Sequence, residues 1–197
     1  MQKMISELKN LDKKQATFDE GITTLLDLRR KLMDEVYSWK EQLSVKDFSA
    51  IPFMNANGYH NKTISYSLWH IFRIEDIVAH SLIKKDEQIF FSGNYQQRIG
   101  SPIVTTGNEL EKEQIAEFSK QLNMDELYRY ITDVKNSTDA ILKGLDYSDL
   151  KRKMTEDDKV LIQNLQVVSK DESAIWLIDY WCGKDVRGLL QMPFSRH

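Results

Sequence analysis

Three residues with metal-ligating side chains stand out in this sequence because each lies in or beside an apolar helical stretch. His70 and Glu75 fall within the segment WHIFRIED at 69–76, and His197 follows another apolar stretch near the C-terminus. Imidazole and carboxylate groups are costly to bury without a partner. Two such groups on helices that pack together therefore predict a metal site inside a helical bundle.

The angular positions of these residues on the predicted helix refine this interpretation. With Ile71 at the centre of the buried face and about 100° per residue, Glu75 lies about 40° to one side and His70 about 100° to the other. Both therefore border the inward face of the helix. His80 falls on the opposite half, which predicts a solvated surface residue.

Each of these residues also has a purely structural interpretation. His70 is equally consistent with a histidine at the edge of the core that bonds a neighbouring group. Glu75 is positioned to pair with Arg29, the one cation in the apolar stripe of the first helix, and that pair would compensate two buried charges at once. The same pair could support a metal site from outside the ligand shell. His60 lies in a Gly-Tyr loop and is more typical of a surface residue.

The spacing of apolar residues predicts the helices that would position these side chains. Apolar residues follow each other in steps of four and three over 18–43 and again over about 62–82, as in helices packed nearly parallel to their neighbours. Asn123 is a predicted N-cap, with Glu126 in the capping-box position and Gly144 near the end of that helix. Further helices are expected at 112–122, 174–181 and 186–197, with Pro193 kinking or breaking the last. This pattern predicts an all-α, four-helix bundle.

Two segments give a weaker signal. The polar stretch Lys84–Glu109 is roughly 25 residues long, which is unusual for a connection in a compact domain and makes it a candidate lid. The stretch 151–168 is compatible with short extended pieces or irregular cover, and Ser169 with Glu172 repeats the capping-box spacing before the next helix. Asp185 is a predicted cap of the last helix. We find no repeat or domain boundary, so 1–197 is predicted to be a single domain.

Composition excludes several classes of function. The chain has 197 residues and a net charge of −3, without a block of Lys and Arg, so nucleic-acid binding is not expected. No signal peptide or apolar run of about 18 residues is apparent, which predicts a cytoplasmic protein with no membrane contact. The single cysteine, Cys182, suits a reducing compartment and is predicted to be packed in the core rather than nucleophilic.

Two segments together resemble a known family. The pattern WHxxRxED at 69–76 resembles the second-helix motif of the DinB-like (DinB/YfiT) superfamily. The stretches GKDVRG at 183–188 and MPFSRH at 192–197 resemble its fourth-helix region. The order and spacing of the predicted helices also fit, so the resemblance covers nearly the whole chain.

The resemblance implies an up-down-down-up four-helix bundle, often dimeric, that holds zinc or nickel. It implies one histidine ligand from the second helix, matching His70, and an H-x-x-x-H pair from the fourth, whose first member matches His197. The second histidine of that pair would fall four residues after His197, beyond the last residue of this sequence. Either the sequence is cut short inside the motif, or the triad is incomplete. In the second case Glu75, a loop carboxylate or the terminal carboxylate of His197 completes the ligand shell, or no metal binds. The expected function is a metal-dependent transferase or hydrolase for a small molecule, with a low-molecular-weight thiol as co-substrate. The alternative is a catalytically silent helical protein for stress-response binding or dimerisation.

Overall fold

A computed structural model describes residues 2–53 and 61–196, and this part of the chain is all-α. Within those ranges the only β-type pairing is an isolated antiparallel bridge between Lys153 and Asp185. Short 3₁₀ turns cover Gln15–Thr17 and Asp149–Lys151. In chain order the helices are α1 (Gln2–Leu11), α2 (Phe18–Gln42), α3 (Val45–Ser49), α4 (Ile64–Asp76, continued by a π-helix at Ile77–Lys84), α5 (Ile89–Ser92), α6 (Tyr95–Ile99), α7 (Glu113–Gln121), α8 (Met124–Lys143), α9 (Glu156–Leu165), α10 (Glu172–Cys182) and α11 (Val186–Arg196).

The helix boundaries follow from local side-chain chemistry at several predicted positions. The Asn123 side chain accepts the backbone N–H groups of Asp125 and Glu126 at the start of α8, and Gly144 follows its last residue. Asp185 caps α11, because its Oδ1 accepts the Gly188 N–H at 2.8 Å. None of the helices described here carries an apolar run long enough to cross a bilayer.

Other boundaries differ from the sequence-based expectation. The ambiguous stretch 151–168 contains α9, whose N-terminus is fixed by a capping box between Thr155 and Asp158. Before α10 the N-cap is Asp171, without a side-chain cap bond, so the capping box expected from Ser169 does not form. Of the two effects expected of Pro193, a kink or a break, the break does not occur, because the last helix continues to Arg196.

The middle of the molecule is α4 with its π-helical continuation, in which every residue from 72 to 83 is buried. Ile71, the predicted centre of the buried face, is only partly buried. Thr63 starts α4 by accepting the Tyr66 N–H at 3.0 Å. Trp69 and Asp76 are completely buried, although they lie on the half of the helix that faces away from Ile71. The half of the helix opposite Ile71 is therefore covered by apolar and polar partners rather than by solvent.

The segment predicted to be a long loop covers the far side of α4. It contains α5 and α6, and the side chains of Phe90, Tyr95 and Ile99 are at most 1% exposed. These side chains join α2, α7 and α8 in one apolar cluster. A second cluster joins the C-terminal half of α4 to α9, α10 and α11, and includes Cys182, as expected for a packed thiol. Burial raises the pKa of that thiol to about 11.

Candidate functional site

His70 is partly buried on α4, and its orientation is fixed by two neighbours. Its Nδ1 lies 2.8 Å from the backbone oxygen of Thr106, and its ring is stacked on that of Tyr66, with centroids 5.7 Å apart. A carbonyl oxygen only accepts hydrogen bonds, so Nδ1 carries the proton and the ring lone pair is on Nε2. This is the arrangement in which histidine usually binds a metal.

The turn that presents the Thr106 oxygen is held in place by its own bonds. Tyr66 donates its hydroxyl to the Gly107 oxygen at 2.9 Å, and Thr106 donates its hydroxyl to Asn108 at 2.7 Å. Burial and the nearby Glu109 raise the pKa of Tyr66, which keeps the hydroxyl protonated as a donor. Gly107 has φ of 76°, a left-handed conformation that glycine adopts without a steric cost.

Glu75 is buried and forms the ion pair with Arg29 that the sequence indicated. Its Oε1 accepts a hydrogen bond from Arg29 Nη2 at 2.7 Å, and Arg29 Nε donates to Asp139 Oδ1 at the same distance. Lys135 pairs with the other oxygen of Asp139 at 3.0 Å. Burial alone would lower the pKa of the Arg29 guanidinium, but the contacts with Glu75 and Asp139 raise it above its usual value. Two acids and two bases thus form one charge-balanced cluster.

The structure therefore gives the predicted ligands different surroundings. His70 bonds the turn at Thr106, Glu75 bonds α2 through Arg29, and His197 lies outside the described residues. In the ranges 2–53 and 61–196 no three His, Cys, Asp or Glu side chains are grouped so that they could hold a metal ion. His70 fits a ligand role, since its tautomer directs the Nε2 lone pair away from Thr106. Glu75 already has Oε1 bound to a guanidinium, which fits an outer position better than a direct ligand.

A pocket lies between α2, α4, α8 and α11, next to Glu75. Ile71 and Ile74 contribute to it from α4, and Leu189 and Met192 from α11, so these two helices line a common space. Thr138 on α8 is 5% exposed and also lines this pocket, and its hydroxyl has no hydrogen-bond partner among the described residues. Its volume is about 40 Å³, well below the roughly 300–1,000 Å³ of small-molecule sites, so it is a small void between helices.

His80 is the largest correction to the sequence-based expectation, because it is 3% exposed rather than solvated. Its Nδ1 lies 2.6 Å from Asp86 Oδ1 and its Nε2 lies 3.1 Å from the hydroxyl of Ser137 on α8. The error came from assuming a single buried face, whereas the segment after Lys84 covers the opposite face. The stretch IVAHSLI at 77–83 is apolar apart from the histidine and Ser81, and this was the signal for burial.

Arg73 and Asp76, the other polar residues of the WHxxRxED pattern, attach the segment 86–106 to α4. Arg73 is completely buried, donates to the Val104 oxygen and to Gln88, and lies 4.3 Å above the Phe90 ring. Asp76 accepts the backbone N–H of Phe90 at 2.9 Å, among other donors. These two residues therefore fix the position of the turn that orients His70.

Comparison with protein-family models gave no match, and comparison with curated proteins gave none either. The functional argument therefore depends on the geometry of the described side chains.

Proposed function

We propose that this protein is a divalent-metal-dependent enzyme of the DinB-like superfamily, with the up-down-down-up four-helix bundle of that family. In this proposal His70 and His197 bind zinc or nickel. The observation that carries it is the Nδ1 contact of His70 with the Thr106 oxygen, which sets the tautomer that a metal requires. The rigid turn around Gly107 supports the proposal, since it holds the imidazole in place before any metal arrives.

The relation between α4 and α11 also supports the pairing of His70 with His197. Arg152 donates to the backbone oxygens of Leu82 and Ile83 at the end of the π-helix, and its own oxygen accepts the Val186 N–H at the start of α11. Arg152 thus connects the C-terminal end of the π-helix to the N-terminal end of α11, and these two ends lie close together. His70 lies twelve residues before Leu82, about 18 Å at helical rise, and Arg196, the last described residue of α11, lies ten residues after Val186, about 15 Å.

The two distances are measured from the same point, the contact through Arg152. They bring the end of α11 beside His70 only if α11 is antiparallel to α4. The shared pocket supports that direction, since Leu189 and Met192 of α11 line it together with Ile74 and Ile71 of α4. In the proposal Glu75 is not a ligand. It is held by its ion pair with Arg29 and supports the site from outside the ligand shell, which a further donor completes.

A divalent metal with an open coordination position would lower the pKa of a bound water or thiol and so supply a nucleophile at neutral pH. We propose a small-molecule substrate and a low-molecular-weight thiol as co-substrate, in a homodimeric cytoplasmic protein.

The direct test is the metal content of purified protein after supply of zinc or nickel and removal of excess metal. The proposal predicts about one metal ion per chain in the wild type and almost none in His70→Ala. Cys182→Ala is the matched control, because it removes the only thiol and should leave the metal content unchanged. A wild type without metal would instead favour the catalytically silent binding or dimerisation protein.

A further inference from the structure

Ser137, His80 and Asp86 form a continuous chain of hydrogen bonds that the proposed metal function does not use. Asp86 Oδ1 lies 2.6 Å from His80 Nδ1, and His80 Nε2 lies 3.1 Å from Ser137 Oγ. A carboxylate accepts hydrogen bonds, so Nδ1 carries the proton and Nε2 accepts from the serine hydroxyl. The order of hydroxyl, imidazole and carboxylate is the one that activates a serine nucleophile.

The three side chains come from separate pieces of backbone that hold each other in place. His80 is carried by the π-helix, a rare conformation that is frequent at functional sites. The chain turns directly after the π-helix, where Lys85 has a left-handed conformation. In this turn the Asp86 backbone N–H donates to the His80 backbone oxygen at 3.0 Å. This turn brings the Asp86 carboxylate back onto the imidazole. Ser137 approaches from the middle of α8, on the other side of the ring.

The serine and the carboxylate open onto a pocket of about 290 Å³. Most of its wall is apolar and consists of Ile83, Ala140, Ile141 and Leu145. Lys84 is the one cation among the described residues that line it, and an ammonium group at this position would stabilise a negative charge that develops on a carbonyl oxygen. The walls suit a short acyl chain, whereas the space is too small for a long lipid chain or a folded protein segment.

We propose that Ser137 is the nucleophile of a second site, separate from the metal centre, that hydrolyses carboxylic esters with short acyl chains. Ser137 Oγ bonds to the ester carbon while His80 Nε2 takes the hydroxyl proton. The bond from that carbon to the alcohol oxygen breaks, and the alcohol leaves with the proton from Nε2. Water then bonds to the acyl carbon while Nε2 takes one of its protons. The bond from that carbon to Ser137 Oγ breaks, Oγ receives the proton from Nε2, and the carboxylic acid leaves. Asp86 is a positioning residue that holds the tautomer of His80.

The test is covalent labelling of the whole protein with diisopropyl fluorophosphate, which forms an Oγ–phosphorus bond and releases fluoride. We expect a single adduct per chain, mapped by mass spectrometry to the peptide that contains Ser137. Ser137→Ala should lose it. Ser38→Ala is the matched control, because Ser38 is another partly buried helical serine whose hydroxyl bonds a backbone oxygen instead. Folded wild-type protein without an adduct at Ser137 would overturn the proposal.

The rate of labelling distinguishes a serine that is activated by His80 and Asp86 from a serine that is only exposed. Asp86→Asn should slow the labelling of Ser137 and the hydrolysis of 4-nitrophenyl butyrate by about 100-fold or more. The Asp86 side chain is 45% exposed, so this variant should keep the wild-type melting temperature, which His80→Gln need not do. Equal rates in Asp86→Asn and wild type would contradict the mechanism. Both activities should persist with a chelator and in His70→Ala, which separates this site from the metal centre.

Discussion

Replacing Glu75 by leucine tests the charge cluster at the centre of the molecule. The substitution removes the carboxylate that contacts Arg29 Nη2 at 2.7 Å and leaves a guanidinium on a residue that is 5% exposed. Arg29 keeps its bond to Asp139 at 2.7 Å, so one of its two acidic partners remains. The variant therefore leaves a buried cation that is only partly compensated.

The expected loss follows from the cost of breaking a buried pair. Removal of one partner of a buried pair typically costs about 3–5 kcal/mol, and the remaining contact with Asp139 places Glu75→Leu near the lower limit, at about 3 kcal/mol. For a chain of this size each kcal/mol lowers the melting temperature by about 2–4 °C, so the variant should melt roughly 6–12 °C below the wild type.

The assay is urea denaturation followed by far-ultraviolet circular dichroism, applied to a double-mutant cycle. Arg29→Met alone should lose a similar free energy of unfolding, because it leaves the Glu75 carboxylate buried without its cation. The double variant Arg29→Met, Glu75→Leu should be no less stable than either single variant, since no unpaired charge remains between the two positions. Additive losses, or a loss below about 1 kcal/mol for Glu75→Leu, would refute the reasoning.

Three further predictions concern other buried polar groups. Burial alone would raise the pKa of the Asp158 carboxyl, but hydrogen bonds from Lys85 and Thr155 hold this pKa below 3.8. The stabilising contribution of the carboxylate is therefore complete above pH 3.8 and is lost as the pH falls through the pKa of the folded state. Asp158→Asn should therefore cost about 1–2 kcal/mol of unfolding free energy at pH 7, with the difference from wild type shrinking as the pH falls below 3.8 in urea titrations. Burial raises the pKa of the Cys182 thiol from 9.0 to about 11. At pH 8 this thiol should therefore react with iodoacetamide about 100-fold more slowly in the folded protein than in denaturant. Equal rates would contradict the burial of Cys182. Arg73→Lys should cost about 3 kcal/mol and speed amide exchange across 86–106, because an ammonium cannot replace the bonds to Val104 and Gln88; unchanged exchange there would show that Arg73 does not hold that segment.

Most predictions that depended on local periodicity and capping were successful, although the capping box expected from Ser169 does not form. The apolar stripe over 18–43 predicted α2 and indicated that Arg29 is buried. The ion pair with Glu75 followed from that burial, because a cation and an anion at the same height on two packed helices have few other partners. Asn123, Gly144 and Asp185 mark helix ends through bonds to nearby backbone groups, which sequence alone can indicate.

The positions that depended on long-range packing could not be inferred in the same way. His80 was assigned to the surface because helical periodicity describes one buried face and contains no information about what covers the other. The cover is the segment after Lys84, whose polar composition favours a loop although Phe90 and Tyr95 are buried in the core. The contacts of His80 with Asp86 and Ser137 depend on that cover, and no short motif indicates them.

The most direct test of the proposed metal centre is a crystal structure of metal-supplied protein, with anomalous scattering measured on both sides of the zinc or nickel absorption edge. The proposal predicts one strong anomalous peak about 2.0–2.1 Å from His70 Nε2, with the Nδ1 contact to Thr106 preserved and His197 within the same coordination sphere. Metal-supplied crystals without an anomalous peak at His70, or with the metal bound only at other residues, would contradict the proposal.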